Sequence, residues 1–196
     1  MKTIFGTIKS NALFFSFIKE YLKTNVMITK IEHLITNKQY IISHKTNLLD
    51  TSTFLKMHSL IKAINPIDIV VIDNIKGNNR FNIIYVIQSV SINNRFIIST
   101  YTNEISPIIS IQNLFSAFNW AEREIWDMFG IFIIKHPDLR KILTDYGFIG
   151  HPLQKNFPLS GFKEVQYDDK SKSINLVNIE LSQSIRNVAV IGNTWL

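Results

Sequence analysis

The chain has 196 residues, 46% of them hydrophobic and 18% charged, and a formal net charge of +6, the composition of a folded protein rather than a disordered one. It contains no cysteine, which excludes disulfides, thiolate nucleophiles, cysteine-type zinc sites and iron–sulfur ligation by its own side chains. No apolar run approaches the roughly 20 residues of a membrane-spanning helix, and His33, His44, His58, His136 and His151 show no metal-ligand spacing.

The N-terminus, MKTIFGTIKSNALFFSFIKEYLK, carries lysines and no acid before Glu20, a weak likeness to a transit sequence. It lacks arginine and a small-residue cleavage site. Phe14, Phe17, Ile18 and Tyr21 recur at helical spacing, so a retained first helix is expected. Val26–Thr36 and Gln39–Ser43 read as strands joined at Asn37-Lys38. A helix is expected over Asp50–Ala63, with Phe54, Met57, Ile61 and Ile64 as its stripe and Asn65-Pro66 as its stop. Three β-branched or aromatic runs follow, Ile67–Asp73, Phe81–Val90 and Arg95–Tyr101, separated by turns at Gly77-Asn78-Asn79 and Asn93-Asn94. They imply an α+β domain over residues 1–130 with an antiparallel or mixed sheet of about four strands.

A second long helix is expected from near Ile111 to Phe129, burying Leu114, Phe118, Ala121, Ile125 and Phe129, and Gly130 is suited to end it in a left-handed conformation. Beyond it the periodicity fades, and Pro137, Pro152, Pro158, Gly147, Gly150 and Gly161 punctuate the chain. Apart from a short helical turn at Leu139–Leu143 capped by Asp138, residues 131–196 read as extended, irregular backbone. A segment of that kind lies against something, either its own domain or a partner.

Charge is unevenly placed. Residues 1–120 hold 12 Lys/Arg against 6 Asp/Glu, whereas residues 121–170 hold 7 against 8. The basic part does not argue for nucleic acid, because its lysines are scattered singly rather than gathered in a stripe. Ile occurs 34 times, Asn 19 and Lys 16. These residues have A/T-rich codons, which accounts for the lysines through an A/T-rich genome.

Glu122, Arg123, Glu124 and Asp127 share one helix, where Arg123 and Asp127, four apart, can pair. With Arg140 and Lys141 as candidate partners, an ion-pair network can fix this helix against the following loop. Glu122, Asp127 and His136 also form a conceivable acid–base set. Proline after His136 and after His151 restrains the backbone, which suits a shaped loop better than a proton shuttle. Thr144–Gly150 has neither the GxGxxG spacing nor a P-loop lysine, so it reads as a turn in which Gly147 and Gly150 supply positive φ. Trp120, Trp126, Tyr146, Phe148, Phe157, Phe162 and Tyr167 make this region dense in aromatics, as protein interfaces and core edges both are.

Together, Trp120, Glu122-Arg123-Glu124, Trp126–Gly130, His136–Arg140, Ile142–Phe148, Gly150–Leu153 and Phe157–Gly161 resemble the 30-kilodalton subunit family of respiratory NADH:ubiquinone oxidoreductase (complex I). The resemblance is strong over 120–168 and weaker through the Arg80-Phe81 and Arg95-Phe96 strands. Two positions depart from it: Gln154 stands where arginine is usual and Asn156 where aspartate is usual, which suggests one missing ion pair. The resemblance implies an α/β domain with an extended tail, acting as a non-catalytic structural subunit of the matrix-facing arm at the mitochondrial inner membrane. Its partners would be other peripheral-arm subunits, chiefly the large quinone-site subunit and its terminal-cluster neighbour, with no nucleic acid and no membrane span. NADH, FMN, iron–sulfur clusters and ubiquinone would belong to the complex, none being held by this chain. Asp127–Gly161 would be the principal partner-binding segment. The residues carried over as its interface and structural motif are Glu122, Arg123, Glu124, Asp127, Gly130, His136, Pro137, Asp138, Arg140, Asp145, Tyr146, Gly147, His151, Pro152, Lys155, Pro158 and Gly161.

Overall fold

The computed structural model describes residues 28–34, 38–77 and 79–181, together with Gln183 and Arg186. The expected first helix lies outside the described residues. Five strands form one sheet: β1 (Ile28–Leu34), β2 (Lys38–Ser43), β3 (Asn65–Asp73), β4 (Phe81–Ser89) and β5 (Asn94–Thr102), in the order β1-β2-β5-β4-β3. All pairings are antiparallel except β2 with β5, which run parallel with Tyr40 opposite Ile97. The sheet is therefore mixed, and all five β runs read from the sequence join it.

Strict alternation in β4 decides which face is the core: Phe81, Ile83, Tyr85, Ile87 and Ser89 are buried, and the residues between them are half-buried. Two helices supply the opposing layer. Helix α1 (Leu48–Met57) buries Leu48, Thr51, Ser52 and Leu55. Helix α2 (Phe118–Phe129) brings Phe118 edge-on to Tyr85 and Phe129 edge-on to Phe81, with ring centroids 5.9 and 6.3 Å apart.

Both helices are shorter than their periodicity implies. The expected Asp50–Ala63 helix starts earlier and ends at Met57, so its buried face is shifted, and Met57 and Ile64 are exposed. The reason lies in the next turn. Ile61 is buried with its carbonyl bonded by the hydroxyls of Ser89 and Ser91, which draws the chain off the helix axis and leaves Lys62 at φ +45°. The second helix begins at Phe118 rather than Ile111. Its expected first turns become a separate turn at Ile111–Phe115, preceded by β6 (Ile108–Ile109), and the Glu122 side chain ties that turn to the helix through the Ile111 amide. β6 pairs in parallel with β7 (Ile133–Ile134), which returns the chain after α2.

The chain divides into two units between Lys155 and Asn156, so the sequence-based division at residue 130 falls inside the first unit. The second unit contains a hairpin, β8 (Lys163–Asp168) with β9 (Ser173–Asn178), where irregular backbone was expected. Alternating Val165, Tyr167, Ile174 and Leu176 around an Asp-rich turn accounts for it.

A buried ion pair closes the β3–β4 turn. Arg80 grips Asp73 through Nε to Oδ1 and Nη2 to Oδ2, both 2.9 Å, and the Lys155 amide adds a third bond of 2.9 Å. The Asp73 side chain is 2% exposed, and the Arg80 guanidinium holds its carboxyl below the ordinary range. Arg80→Met leaves that charge buried without its main partner. The expected cost is about 2–4 kcal/mol in urea unfolding of the purified chain.

Candidate functional site

Helix α2 carries two carboxylates that are both fully shielded from solvent, Glu122 and Asp127. Each is satisfied by neutral donors, in different ways.

Glu122 accepts the Ser110 hydroxyl at 2.5 Å and the Ile111 amide at 2.9 Å, tying α2 to the segment after β6. His136 approaches from the other side. Its Nδ1 accepts the Asp138 amide at 3.2 Å, which places the ring proton on Nε2, buried, 3.9 Å from the Glu122 carboxylate and outside hydrogen-bond reach. Burial pushes the Glu122 carboxyl above its ordinary value, and the bonds from Ser110 and Ile111 oppose that rise.

Asp127 is the clamp for the loop that follows. Its Oδ2 accepts the amides of Ile142, Leu143 and Thr144 at 3.0, 2.7 and 2.9 Å, and its Oδ1 accepts the Thr144 hydroxyl at 2.7 Å. Burial alone would raise its carboxyl, yet these four bonds together hold it below the ordinary value. They also explain why the helical turn expected at Leu139–Leu143 does not form: amides converging on one side-chain oxygen leave the backbone no helical ladder. Asp138 does not cap such a turn and instead pairs with Arg140, with Nη2 to Oδ2 at 2.7 Å.

The end of α2 is closed by residues 151–154. Four carbonyls at a helix C-terminus lack partners in the helix. Here the Trp126 carbonyl takes the Gly130 amide, that of Asp127 the His151 Nδ1–H at 2.9 Å, that of Met128 the Leu153 amide, and that of Phe129 the Gln154 side-chain amide at 2.6 Å. Gly130 is left-handed, as expected, with φ +74°. It is also a point of close approach, since a Cβ there would sit 2.5 Å from Cδ2 of His151. His151 in turn packs on Trp126, ring centroids 5.8 Å apart.

The expected network fixing the helix to the loop exists in a different form. Arg123 does not pair with Asp127; its Nε donates to the Arg140 carbonyl at 3.1 Å and its guanidinium lies over Trp120. Lys141 stands 3.9 Å from Asp127 and donates to the carbonyls of Phe148 and Gly150. Glu124, Pro137 and Asp145 are exposed, and Asp145 caps its own turn by accepting the Tyr146 amide. Gly147, at φ +74° with open space where a Cβ would stand, serves that turn. Pro152 is half-buried beside the helix cap, and Lys155 contributes its amide to Asp73. In the second unit, Pro158 accepts the Gly161 amide in a turn that stacks Phe157 edge-on to Phe162. Sequence reasoning missed Ser110, Thr144 and Asp73 as partners, and it treated Gln154 as a loss of charge when it is a working neutral cap.

An open cavity of about 700 Å³ lies outside the clamp, lined by Trp120, Arg123, Arg140, Lys141, Asp145 and Tyr146 among others. A second, of about 320 Å³, lies near His44 and Tyr101. Neither is lined by Glu122, Asp127 or His136, so neither offers the three as an acid–base set. Among the described residues no cluster of three or more His, Asp or Glu is placed to hold a metal ion, and no helix is long and apolar enough to cross a membrane.

Residues 41–163 match the model of the family described as "Respiratory-chain NADH dehydrogenase, 30 Kd subunit". The chain belongs to this family. It is 45% identical over 148 residues to the mitochondrial NADH dehydrogenase [ubiquinone] iron-sulfur protein 3 of Candida albicans, covering 76% of this chain and 53% of that protein. It thus spans about half the length of that relative. The NADH-ubiquinone oxidoreductase subunit 9 of Reclinomonas americana is 39% identical over 175 residues, covering 87% of this chain and 86% of its own. Among solved structures, a trypsin-resistant fragment (1-134) of Nqo5 superposes with a TM-score of 0.53 at 23% identity, covering 64% of this chain and 98% of the fragment. A chain of an archaeal membrane-bound sulfane sulfur reductase gives 0.62 at 15% identity, covering 74% and 85%. At these identities the structural likenesses establish the fold.

The two buried carboxylates respond to pH in opposite directions. Asp127 is held below its ordinary value of 3.8, so its contribution is complete above that value and is lost as pH falls through the depressed folded value. Glu122 is raised above 4.5, so its contribution is complete below that value and is lost as pH rises through the raised one. Urea midpoints between about pH 3 and pH 8 separate them. Asp127→Asn should cost about 2–4 kcal/mol near neutrality and flatten the acid side of the profile. Glu122→Gln, which keeps an acceptor for the Ile111 amide, should be neutral or stabilising near neutrality. Gly130→Ala should destabilise by about 2 kcal/mol or more, through positive φ together with overlap with His151.

Proposed function

We propose that the chain is a structural subunit of the matrix-side peripheral arm of mitochondrial NADH:ubiquinone oxidoreductase. In this reading it holds the quinone-site subunit in place, beside the subunit of the terminal cluster, and supports electron transfer to ubiquinone without a redox centre of its own. Asp127–Gly161 is its principal docking segment. Family membership supports the assembly, and the names of the relatives supply the mitochondrial setting.

The observation that carries the docking role is a mismatch between rigidity and exposure. Asp127 and the helix cap fix the backbone of 142–154 with side-chain and main-chain bonds. Yet that loop presents Leu143, Tyr146, Ile149 and Leu153 outward, and Tyr146 is fully exposed. A loop bound this tightly to its own domain while offering large apolar side chains to water fits a preformed docking surface.

The reading is tested by separating assembly from turnover. Tyr146→Ala with Ile149→Ser, or replacement of Arg140 or Asp145, should lower the amount of assembled complex several-fold. NADH:ubiquinone activity per assembled complex should stay within about twofold. Normal assembly with a large loss of turnover would contradict a structural role.

A further inference from the structure

Among the described residues, His136 Nε2 is one of three buried side-chain atoms without a hydrogen-bond partner. A buried N–H left unmet is destabilising, so an atom of this kind has a physical reason to be there. It faces Oε2 of Glu122 at 3.9 Å, and both side chains are completely shielded from solvent. A bond between the ring N–H and a carboxylate would need the ring to move by about 1 Å.

The surroundings of Glu122 suit a carboxyl group that can hold or release a proton. Ser110 Oγ lies 2.5 Å from Oε2 and accepts the Gln112 amide at 3.2 Å. A hydroxyl can donate to a carboxylate or accept from a carboxylic acid, so this contact serves both states. The Ile111 amide on Oε1 also serves both. With the acid proton on Oε2 and aimed at Ser110, that oxygen is a poor acceptor for a second donor. Once the proton leaves, Oε2 carries charge with a lone pair free for the ring. From β4, Tyr85 is the titratable group that feels this carboxyl; burial and the neighbouring charge push its hydroxyl up, which keeps it protonated. On the loop after β7, the charged group beside His136 is Asp138, which also feels Arg140 and Arg123.

We propose that Glu122 and His136 form a buried proton switch: with Glu122 protonated the gap stands, and with Glu122 ionised the ring closes onto Oε2 and carries residues 136–140 toward α2. Bonds already in place transmit the movement. The Asp138 amide donates to Nδ1 of the same ring, and the Asp138 carboxylate accepts Arg140 Nε at 2.8 and 2.9 Å. Arg140 lines the open cavity beside Tyr146, so a proton in the core sets the position of a cation at the surface. The device is internal to the chain and does not depend on the assembly reading. Rising pH closes it, because the Glu122 carboxyl is raised above 4.5 and ionises as pH passes through the raised value. Arg140 holds Asp138 below 3.8, so the titration of Asp138 falls outside that window.

The test follows both groups in the full chain. With histidine ring nitrogens isotopically labelled, the His136 Nε2 resonance should move in a single step as pH rises from about 5 to 9, and the infrared band of the protonated Glu122 carboxyl should vanish with the same midpoint. The Arg140 Nε resonance should move with them. Glu122→Gln should abolish all three changes and leave Nε2 at its low-pH position. His136→Phe removes the N–H that bonds the anion, so the Glu122 midpoint should rise by about one pH unit, a roughly tenfold gain in proton affinity.

An Nε2 resonance that stays fixed while Glu122 titrates would overturn the proposal, since the gap would then be permanent, as a trapped water bridging the two groups would make it. So would a Glu122 carboxyl that is ionised throughout that pH range, or an Nε2 and Arg140 transition that survives Glu122→Gln.

Discussion

Asp127 is buried with four donors around its carboxylate, three of them consecutive or near-consecutive backbone amides from a loop about fifteen residues downstream. An acid in that position is stable as an anion because the donors are already oriented, and a loop in that position is ordered because the anion is there. Each depends on the other. Removing the charge releases the amides of Ile142, Leu143 and Thr144. The helix is in turn fixed by Glu122 to the segment after β6, so a single twelve-residue helix organises the chain on both sides of itself.

This arrangement clarifies what the conspicuous charged motif accomplishes. On a helix surface, an Arg and an Asp four apart invite the reading of a solvent-facing pair, a contact of little energetic weight. In the folded protein Asp127 points inward, Arg123 outward onto Trp120, and Glu124 to solvent. The motif codes for three different directions. Its two buried acids bind backbone amides and hydroxyls, and its arginine braces the Arg140 carbonyl. The apolar side chains displaced to the surface are then the feature left to explain, and the proposed docking role accounts for them.

The strands were legible because Ile, Val and Phe runs are separated by Asn/Gly turns, and the C-terminus of α2 was legible because Gly130 can take the left-handed conformation that ends a helix. Helix beginnings were not. Periodicity over Ile111–Phe129 is real in the core, since Leu114 and Phe118 both pack there, but the backbone there is a separate turn and then a helix, which Glu122 ties together through the Ile111 amide eleven residues away. At Leu139–Leu143 the Asp127 carboxylate takes the Ile142 and Leu143 amides that a helical turn would use. Local propensity describes what a backbone does when its amides are free, and here Asp127 claims them from a distance. The parallel β2–β5 pairing was likewise hidden, because it joins segments separated by a helix and two strands. At the site, residue identities were readable and residue directions were not.

The function proposed for this chain depends on its being part of a larger assembly. It is tested most directly by native-gel separation of gently solubilised mitochondrial membranes, probed for this chain and stained in the same lane for NADH oxidation. The chain should co-migrate with a very large NADH-oxidising band. A chain found as a free species near its 22.7 kDa mass, with none at the large band, would contradict it.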